Sequence, residues 1–248
     1  MRTAIVTGGA RGIGLGIAEA LAASGCAVAI FDLNPEALEE ARTKLEVGFP
    51  NVRILPMKVN VASAAEVTEA VAEVHRTQGS IDVLVNNAGI VRDKKITNME
   101  EADWDDVIDT NLKSQFLTCR AVAPVMIGQG TGRIVNISSR AWLGGYGQSN
   151  YSAAKGGVVS LTRSLALEFA SKGVTVNAIA PGIVETPMFA GFTTEVQEKL
   201  RASVPRKRIG RADDIARAVL FLADPSNDYV TGQLIYVCGG RSLSSPSV

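Results

Sequence analysis

Short runs of apolar, β-branched residues alternate along the chain with longer segments in which apolar residues recur every three or four positions. The runs predict strands at Thr3–Thr7, Ala27–Phe31, Arg53–Lys58, Val83–Asn86, Arg133–Ser138, Thr175–Ala180 and Leu234–Val237. The periodic segments predict helices at Ile13–Ser24, Pro35–Val47, Ser63–Gln78, Glu101–Ile127, Tyr151–Ser171 and Asp213–Ala223. Strands that are apolar on both faces and separated by helices indicate a parallel sheet covered on both sides. We therefore expect an α/β fold, a doubly wound parallel sheet of about seven strands with helices on both faces.

One connection is unusually long. About thirty residues separate the strand that ends near Ala180 from the helix that begins near Asp213, whereas ordinary connections have about two to six. A surface excursion is one interpretation of this stretch. A lid over the carboxyl ends of the strands is the interpretation we favour, because long loops in compact domains tend to be functional. We expect residues 1–248 to form one domain with a substrate lid at about 187–208.

Composition narrows the class of protein. The chain has 248 residues, of which 46% are hydrophobic, and its 25 basic and 25 acidic residues give a net charge of zero. No basic block indicates a nucleic-acid partner, no apolar run is long enough to cross a membrane, and a strand predicted from Thr3 argues against a signal peptide. Because Cys26, Cys119 and Cys238 are far apart and odd in number, we expect free thiols in a reducing cytoplasm.

A single histidine excludes several kinds of catalytic site. His75 lies in a predicted helix, where we expect it to be solvated. Ser-His-Asp hydrolysis, Cys-His proteolysis and histidine-rich zinc sites therefore lack their essential group. We expect no metal site, and any chemistry must come from tyrosine, lysine, serine, asparagine, a carboxylate or a bound cofactor.

The first strand leads into a glycine-rich turn, Thr7–Gly14, and then into a helix. Glycines let the backbone approach a phosphate closely, and the start of the helix offers free N–H groups to a pyrophosphate, as in a Rossmann-type dinucleotide site. The second predicted strand ends at Asp32, whose carboxylate can bind ribose hydroxyls and repel a 2′-phosphate. Asp32 could instead cap the helix at Pro35. The charge argument favours NAD over NADP, although Arg11 in the turn is a signal in the opposite direction.

Tyr151 and Lys155 are four residues apart at the start of a predicted helix, so they lie on one helical face. A nearby ammonium stabilises a phenolate and lowers the phenol pKa, which would allow Tyr151 to exchange a proton near neutral pH. By itself this spacing is common in helices and is also compatible with an ordinary surface contact.

Together these motifs resemble the short-chain dehydrogenase/reductase family in its short single-domain form, over Met1–Gly240. The matching residues are Thr7, Gly8, Gly12 and Gly14 in the glycine turn, Asn86–Gly89, Asn111, Asn136–Ser139, Tyr151, Lys155, and Pro181–Pro187. Asn60-Val61 stands where the family often has Asp-Val beside the adenine, and Cys238 replaces a frequent aspartate. The resemblance implies a dinucleotide site formed by Gly8, Arg11, Gly12, Ile13, Gly14, Asp32, Asn60, Val61, Asn87, Ala88, Gly89, Tyr151, Lys155, Pro181, Gly182, Ile183, Thr186 and Met188.

The same resemblance implies catalytic roles. Tyr151 would be the general acid/base, and Lys155 would lower its pKa and bind the nicotinamide ribose. Asn111 would help to hold a water that relays protons to Lys155, and a serine would bind the substrate oxygen. The family's usual spacing from the tyrosine selects Ser138, whereas the local strand motif selects Ser139. A loop absorbs a deletion more easily than a strand does, so we favour Ser139.

The expected activity is NAD-dependent interconversion of a secondary alcohol with a hydrophobic substituent, aromatic ones included, and its ketone. We expect the small-molecule substrate to contact Ser139, Trp142, Tyr146, Tyr151, Phe189 and Phe192. A 3-oxoacyl-[acyl-carrier-protein] reductase is the alternative within the family, although such enzymes usually use NADPH. A non-catalytic dinucleotide sensor is less favoured, because a sensor would not need the catalytic set. Family members commonly form homotetramers, so a homo-oligomer is expected.

Overall fold

The computed structural model describes residues 1–185, 189, 191 and 193–243. Its strands are β1 (Thr3–Thr7), β2 (Ala27–Asp32), β3 (Ile54–Lys58), β4 (Val83–Asn86), β5 (Gly132–Ile137), β6 (Val174–Pro181) and β7 (Leu234–Val237). Its helices in the described residues are α1 (Gly12–Ala23), α2 (Pro35–Gly48), α3 (Ala64–Gln78), α4 (Glu101–Ile108), α5 (Ser114–Gln129), α6 (Ser149–Phe169), α7 (Thr194–Ala202) and α8 (Ala212–Ala223).

The strands form one parallel sheet in the order β3-β2-β1-β4-β5-β6-β7. This confirms the predicted α/β class, the seven strands and the parallel pairing. The chain reverses its direction of travel across the sheet between β1 and β4. In doubly wound sheets, ligands bind at such a switch point, beyond the carboxyl ends of the strands.

Alternation of side chains along each strand produces two apolar cores. In β1, Ala4 and Val6 pack on one face with residues of α1, α2 and α8, while Ile5 packs on the other face with residues of α3, α5 and α6. In β2 the same alternation places Val28 and Ile30 in the core with Ala4 and Val6, and Ala29 and Phe31 in the core with Ile5. Both faces of the sheet are therefore covered, as predicted. No described helix is both long and apolar enough to span a membrane.

Two predicted helical regions differ from the structure. The single helix expected at Glu101–Ile127 is divided by a π-helical turn at Asp109–Lys113. The predicted lid contains a regular helix, α7, that the sequence pattern did not reveal, because none of its residues is buried and its apolar stripe is short. His75 is exposed on α3, and the three cysteines are free and buried.

Candidate active site

Loops at the carboxyl ends of β1, β2, β4, β5 and β6 surround a cavity of about 550 Å³. The predicted cofactor residues that line it are Gly8, Arg11, Ile13, Asp32, Val61, Asn87, Ala88, Gly89, Tyr151, Lys155, Pro181 and Gly182. The catalytic candidates Ser138 and Ser139 also line it. One cavity therefore runs from the glycine turn to the predicted catalytic residues.

The glycine turn has the backbone that a phosphate cradle needs. Gly8 and Gly12 have φ angles of +58° and +55°, a region that favours glycine. A Cβ on Gly14 would lie 2.0 Å from the carbonyl oxygen of Gly8, so a side chain there is impossible without moving the turn. Nothing lies within 4 Å of a Cβ placed on Gly12, which leaves open space where α1 begins. A dinucleotide pyrophosphate fits this turn and the free amides of the first helical turn.

Asp32 is held at the end of β2 by backbone donors. Its carboxylate accepts hydrogen bonds from the amides of Ala10, at 3.3 Å, and Asn34, at 3.2 Å. Asn34, not Asp32, caps α2, because its side chain accepts from the amide of Ala37 at 2.8 Å. Asp32 is thus free of the capping role that the sequence left open. Arg11 is exposed and makes no ion pair within the described residues.

The Asn86–Gly89 loop is tied to the glycine turn. The hydroxyl of Thr7 accepts from the backbone amides of Asn87 and Ala88, both at 3.0 Å, and the Asn87 side chain donates to the carbonyl of Gly8 at 3.0 Å. A Cβ on Gly89 would lie 3.1 Å from Asn111 Oδ1, so a side chain there would crowd Asn111. These bonds fix the floor of the cavity between its two ends.

Four of the predicted cofactor residues that the structure describes do not line the cavity: Gly12 and Gly14 in the glycine turn, Asn60, and Ile183. Asn60 accepts from the amide of Ala62 at 3.0 Å and donates its own amide to Glu66, while the neighbouring Val61 lines the cavity. Ile183 lines a separate cavity of about 270 Å³ next to Cys238. Thr186 and Met188, also predicted to contact the cofactor, lie outside the described residues.

The π-helical turn at Asp109–Lys113 places Asn111 in the interior, where it is fully buried. Its side-chain oxygen accepts from the amide of Ile90 at 2.7 Å, and its side-chain nitrogen donates to the carbonyl of Ile90 at 2.9 Å. A π turn widens the helix and releases backbone groups from the regular bonding pattern, which is common at functional sites. Asn111 therefore joins the helical region to the loop after β4.

Lys155 is 3% exposed, and its ammonium donates to the carbonyl of Ile137 at 2.8 Å. Burial lowers the pKa of Lys155 to about 8. The Lys155 nitrogen lies 5.7 Å from the centre of the Tyr151 ring. The two side chains are thus brought together as their spacing indicated.

The pKa of Tyr151 is raised, principally because burial disfavours the phenolate. The hydroxyl of Ser139 lies within hydrogen-bonding reach and lowers the pKa, while the negative charge of Asp93 raises it. The sequence led us to expect Lys155 as the group that lowers the pKa of Tyr151. In this structure the lowering contact comes from Ser139 instead.

The two adjacent serines face different surroundings. Ser138 is buried, and its hydroxyl donates to the backbone carbonyl of Lys155 at 2.8 Å. Ser139 is half-buried, accepts from the amide of Ala141 at 3.1 Å, and approaches Tyr151. Of the two, only Ser139 presents its hydroxyl beside the phenol.

The expected aromatic residues that the structure describes, Trp142, Tyr146 and Phe189, do not line this cavity. Trp142 donates from its indole to the hydroxyl of Tyr236 at 2.8 Å, and Tyr146 is 85% exposed beside Lys95. Phe189 is buried in a small cluster with other residues of the predicted lid region. Phe192 lies outside the described residues.

Sequence reasoning missed several apolar residues that line the cavity. Ile90, Val91 and Val184 line the cavity, as does Thr110. Ile90 and Val91 follow the Asn86–Gly89 motif directly, so their position after a strand end was an available signal. Val184 gave no such signal, since its place depends on a bridge to Gly210.

The arrangement suits proton transfer beside a redox cofactor. A phenol, a serine hydroxyl and a buried amine converge at one end of the cavity, and a carboxylate and a phosphate cradle lie at the other. No cluster of three or more His, Cys, Asp or Glu side chains suitable for a metal ion occurs among the described residues. The residues present therefore fit a dinucleotide.

Comparison with known proteins gives consistent matches. The family model described as Enoyl-(Acyl carrier protein) reductase matches residues 8–242. The chain is 45% identical over 242 residues to the (2S)-[(R)-hydroxy(phenyl)methyl]succinyl-CoA dehydrogenase subunit BbsD of Thauera aromatica, covering 98% of this chain and 97% of that relative. It is 44% identical over 243 residues to the 3-oxoacyl-[acyl-carrier-protein] reductase FabG of Staphylococcus aureus, covering 98% of each.

A solved structure of a putative gluconate dehydrogenase from Agrobacterium tumefaciens has the same fold. It superposes with a TM-score of 0.94 at 37% identity and covers 98% of this chain and 97% of that one. The chain therefore belongs to the short-chain dehydrogenase/reductase family and is an NAD(P)-dependent ketoreductase or dehydrogenase.

Proposed function

We propose that this protein is an NAD-dependent dehydrogenase that interconverts a secondary alcohol with a hydrophobic substituent, aromatic ones included, and its ketone. One observation carries the proposal: a single cavity joins the carboxylate of Asp32 to the cluster of Ser139, Tyr151 and Lys155. The apolar side chains of Ile90 and Val91 beside that cluster support a hydrophobic substituent on the substrate.

In the proposed mechanism Tyr151 is the general acid/base and Ser139 binds the substrate oxygen. During alcohol oxidation the Tyr151 phenolate accepts the hydroxyl proton while the Ser139 hydroxyl donates a hydrogen bond to the same oxygen. During ketone reduction Tyr151 returns the proton. The nicotinamide supplies the hydride acceptor or donor, and its oxidised ring adds a positive charge that favours the phenolate.

Lys155 and Asn111 act in support of Tyr151. Burial that lowers the pKa of Lys155 to about 8 lets its amine gain and lose a proton near working pH. We propose that Lys155 also binds the ribose next to the nicotinamide. Asn111, held by its two bonds to Ile90, helps to place a water that connects Lys155 to solvent.

Asp32 supports NAD as the cofactor. Its carboxylate lines the cavity, and its position is fixed by the amides of Ala10 and Asn34. A fixed negative charge there repels the 2′-phosphate that distinguishes NADP from NAD, while its oxygens accept from ribose hydroxyls.

The decisive experiment is a spectrophotometric screen of NAD and NADP reduction across aliphatic, alicyclic and aryl secondary alcohols. We expect turnover with NAD and the more hydrophobic alcohols, and a smaller kcat/KM with NADP.

Tyr151→Phe should retain NADH binding, measured by fluorescence, and lose turnover, because the phenol hydroxyl carries the proton. Substantial activity in Tyr151→Phe would overturn the assigned role of Tyr151.

A second candidate is reduction of a 3-oxoacyl thioester. Two relatives support it, since the names of both describe acyl thioester substrates. The substrate in the name of the Thauera aromatica relative is also a secondary alcohol that bears a phenyl group. An acetoacetyl thioester assayed with NADPH discriminates the two functions. If that pair gives the larger kcat/KM, the 3-oxoacyl reductase replaces the alcohol dehydrogenase as the function.

We also propose a homotetramer, a lid at about 187–208 and a cytoplasmic location. Exposed apolar residues on the two long helices, Phe116 on α5 and Leu167 on α6, support self-association. The cluster of Phe189, Val204 and Ile209 gives the predicted lid region a small apolar core of its own. The three free thiols support a reducing compartment.

A further inference from the structure

The loop that follows β4 is bonded to both helical regions that carry catalytic candidates. At its start, Ile90 makes two hydrogen bonds with Asn111. Further along, the carbonyl of Arg92 accepts from the side chain of Asn150 at 3.1 Å. Asn150 is fully buried, and its side-chain oxygen accepts from the amide of Tyr151 at 2.8 Å. The position of this loop therefore bears on the position of Tyr151.

Asp93 makes the next connection between the loop and α6. The side-chain nitrogen of Gln148 donates to the carboxylate of Asp93 at 2.7 Å. Gln148 is the residue from which α6 begins, and its carbonyl accepts from the amide of Ser152 at 2.7 Å in the first helical turn. Tyr151 lies within that turn. The bond between Asp93 and Gln148, called the bridge below, thus connects the loop after β4 to the start of α6.

The charge of Asp93 also reaches Tyr151. Among the charges that act on Tyr151, the carboxylate of Asp93 raises the pKa of the phenol. The two bases beside it on the same loop are engaged elsewhere: Lys94 pairs with Asp103 at 2.6 Å, and Arg92 lies 3.8 Å from Asp106.

Three further polar or charged groups lie on the segments around Tyr151. Lys155 on the same helix places its nitrogen 5.7 Å from the ring centre, and the Ser139 hydroxyl at the end of β5 lowers the pKa of the phenol. Lys95, the remaining base of the loop, lies 5.7 Å from the ring centre of Tyr146. Asp93 is the carboxylate whose negative charge disfavours a phenolate at Tyr151.

We propose that Asp93 is a positioning residue for the proton transfer at Tyr151: its hydrogen bond to Gln148 holds the first turn of α6, which carries Tyr151. The proposal rests on the acid/base role of Tyr151 in the proposed function. In reduction, the carboxylate keeps Tyr151 protonated at higher pH and so extends the range in which it donates. In oxidation, it shifts the activity to higher pH.

Three variants separate the effect of the hydrogen bond from Gln148 to Asp93 from the effect of the negative charge of Asp93. Asp93→Asn retains an oxygen that accepts from Gln148 and removes the charge. Asp93→Ala removes both. Asp105→Asn, on the exposed side of α4, removes a nearby charge without contact to Gln148 and is the matched control.

The titration of Tyr151 is measured directly, without turnover and without cofactor. Biosynthetic 3-fluorotyrosine, whose phenol ionises at a lower pH than tyrosine, gives a fluorine NMR signal for each of the 4 tyrosines. Tyr151→Phe identifies the Tyr151 signal. We expect Asp93→Asn to lower the midpoint by about half a pH unit at low ionic strength. The shift should shrink at about 1 M salt, where the Debye length is about 3 Å.

Hydrogen exchange tests the bridge. The amides of the first turn of α6 should exchange faster in Asp93→Ala than in Asp93→Asn, because only the alanine variant loses the bond to Gln148. An unchanged midpoint in Asp93→Asn, or the same shift in Asp105→Asn, would overturn the charge role. Equal exchange in the two Asp93 variants would overturn the positioning role.

Kinetics then separate this inference from the proposed function. With a turned-over alcohol, the pH profile of kcat/KM should shift with the NMR midpoint in Asp93→Asn. If no alcohol or ketone is turned over by the wild type, the proposed function fails, while the NMR and exchange results still decide the role of Asp93.

Discussion

The catalytic candidates are polar groups placed in an apolar interior, and their protonation follows from that burial. Desolvation raises the pKa of the Tyr151 phenol and lowers that of the Lys155 amine, so both groups favour their neutral forms. The sequence predicted that these two residues would meet, because the spacing along a helix fixes their face. The sequence did not predict the direction of their pKa shifts, because those shifts depend on how deeply the folded chain buries each group.

Replacement of Lys155 should stabilise the folded protein. The native pKa of about 8 lies below the ordinary 10.5, so between these pH values the unfolded state binds a proton that the native state lacks. Stability therefore falls as pH decreases through this window and stays reduced below it. Lys155→Met removes that penalty and also removes a hydrogen bond, for a net gain of roughly 2 kcal/mol at neutral pH.

Urea unfolding at several pH values measures this effect. Lys155→Met should show a flatter dependence of the free energy of unfolding on pH than the wild type between about 8 and 10.5. Lys172→Met, at an exposed lysine, should leave the pH dependence unchanged. A destabilised Lys155→Met variant at neutral pH would contradict the prediction.

The two serines should respond differently to removal of their hydroxyls. Ser139→Ala should reduce kcat by about a hundredfold, since it deletes a donor to the substrate oxygen. Ser138→Ala deletes the bond to the carbonyl of Lys155 and should lower the free energy of unfolding by about 1 kcal/mol with a smaller kinetic effect. Steady-state kinetics and urea melts on both variants check the assignment. If Ser138→Ala loses kcat while Ser139→Ala retains it, the roles assigned to the two serines are exchanged.

At the scale of elements, the strands were predicted within one or two residues of their observed ends. Their buried β-branched runs, such as Val83–Asn86, carry a strong local signal. The π turn at Asp109–Lys113 carries no such signal, because apolar spacing there still resembles one continuous helix. Its cause is tertiary: the side chain of Asn111 bonds to the backbone of Ile90.

The candidate site shows the same limit. Motifs at strand ends predicted the glycine turn and the residues around Tyr151, because parallel topology brings those ends together. The aromatic residues expected around the substrate could not be predicted in the same way, because the direction of a loop side chain depends on its tertiary partners. Trp142 turns towards Tyr236, and no local pattern encodes that bond.

Asn111→Ala should destabilise the protein by about 2 kcal/mol, because it leaves the amide and carbonyl of Ile90 without their partners. The loop after β4 should also become more mobile, with a lower kcat. Thermal melts and hydrogen exchange of the loop measure both effects. Asn98→Ala, at an exposed asparagine, is the control and should behave like the wild type. An Asn111→Ala protein with wild-type stability would contradict the structural role.

For the whole molecule, the outer surface carries the clearest information about assembly. Leu167 on α6 is 85% exposed and Phe116 on α5 is 44% exposed, on helices that cover one face of the sheet. In the proposed homotetramer, another copy of the chain covers these large apolar side chains. Composition does not reveal exposed apolar side chains, because it counts buried and exposed apolar residues alike.

Sedimentation velocity should give a mass near four times the 26.1 kDa of one chain. Leu167→Lys should produce smaller species, because it places a charge in the proposed contact. Val47→Lys, at an equally exposed position on α2, should leave the assembly intact. A monomeric wild type, or equal effects of both substitutions, would refute this assignment of the interface.

The strand order β3-β2-β1-β4-β5-β6-β7 has a consequence for synthesis on the ribosome. Every strand after the first pairs with one that has already been made: β2 and then β3 extend one edge from β1, and β4 to β7 extend the other edge in turn. Because chains emerge amino end first, the sheet can grow outward from its centre while translation continues. The nascent chain never needs to open a completed edge to admit a later strand, and the last strand made, β7, is also the last to be placed.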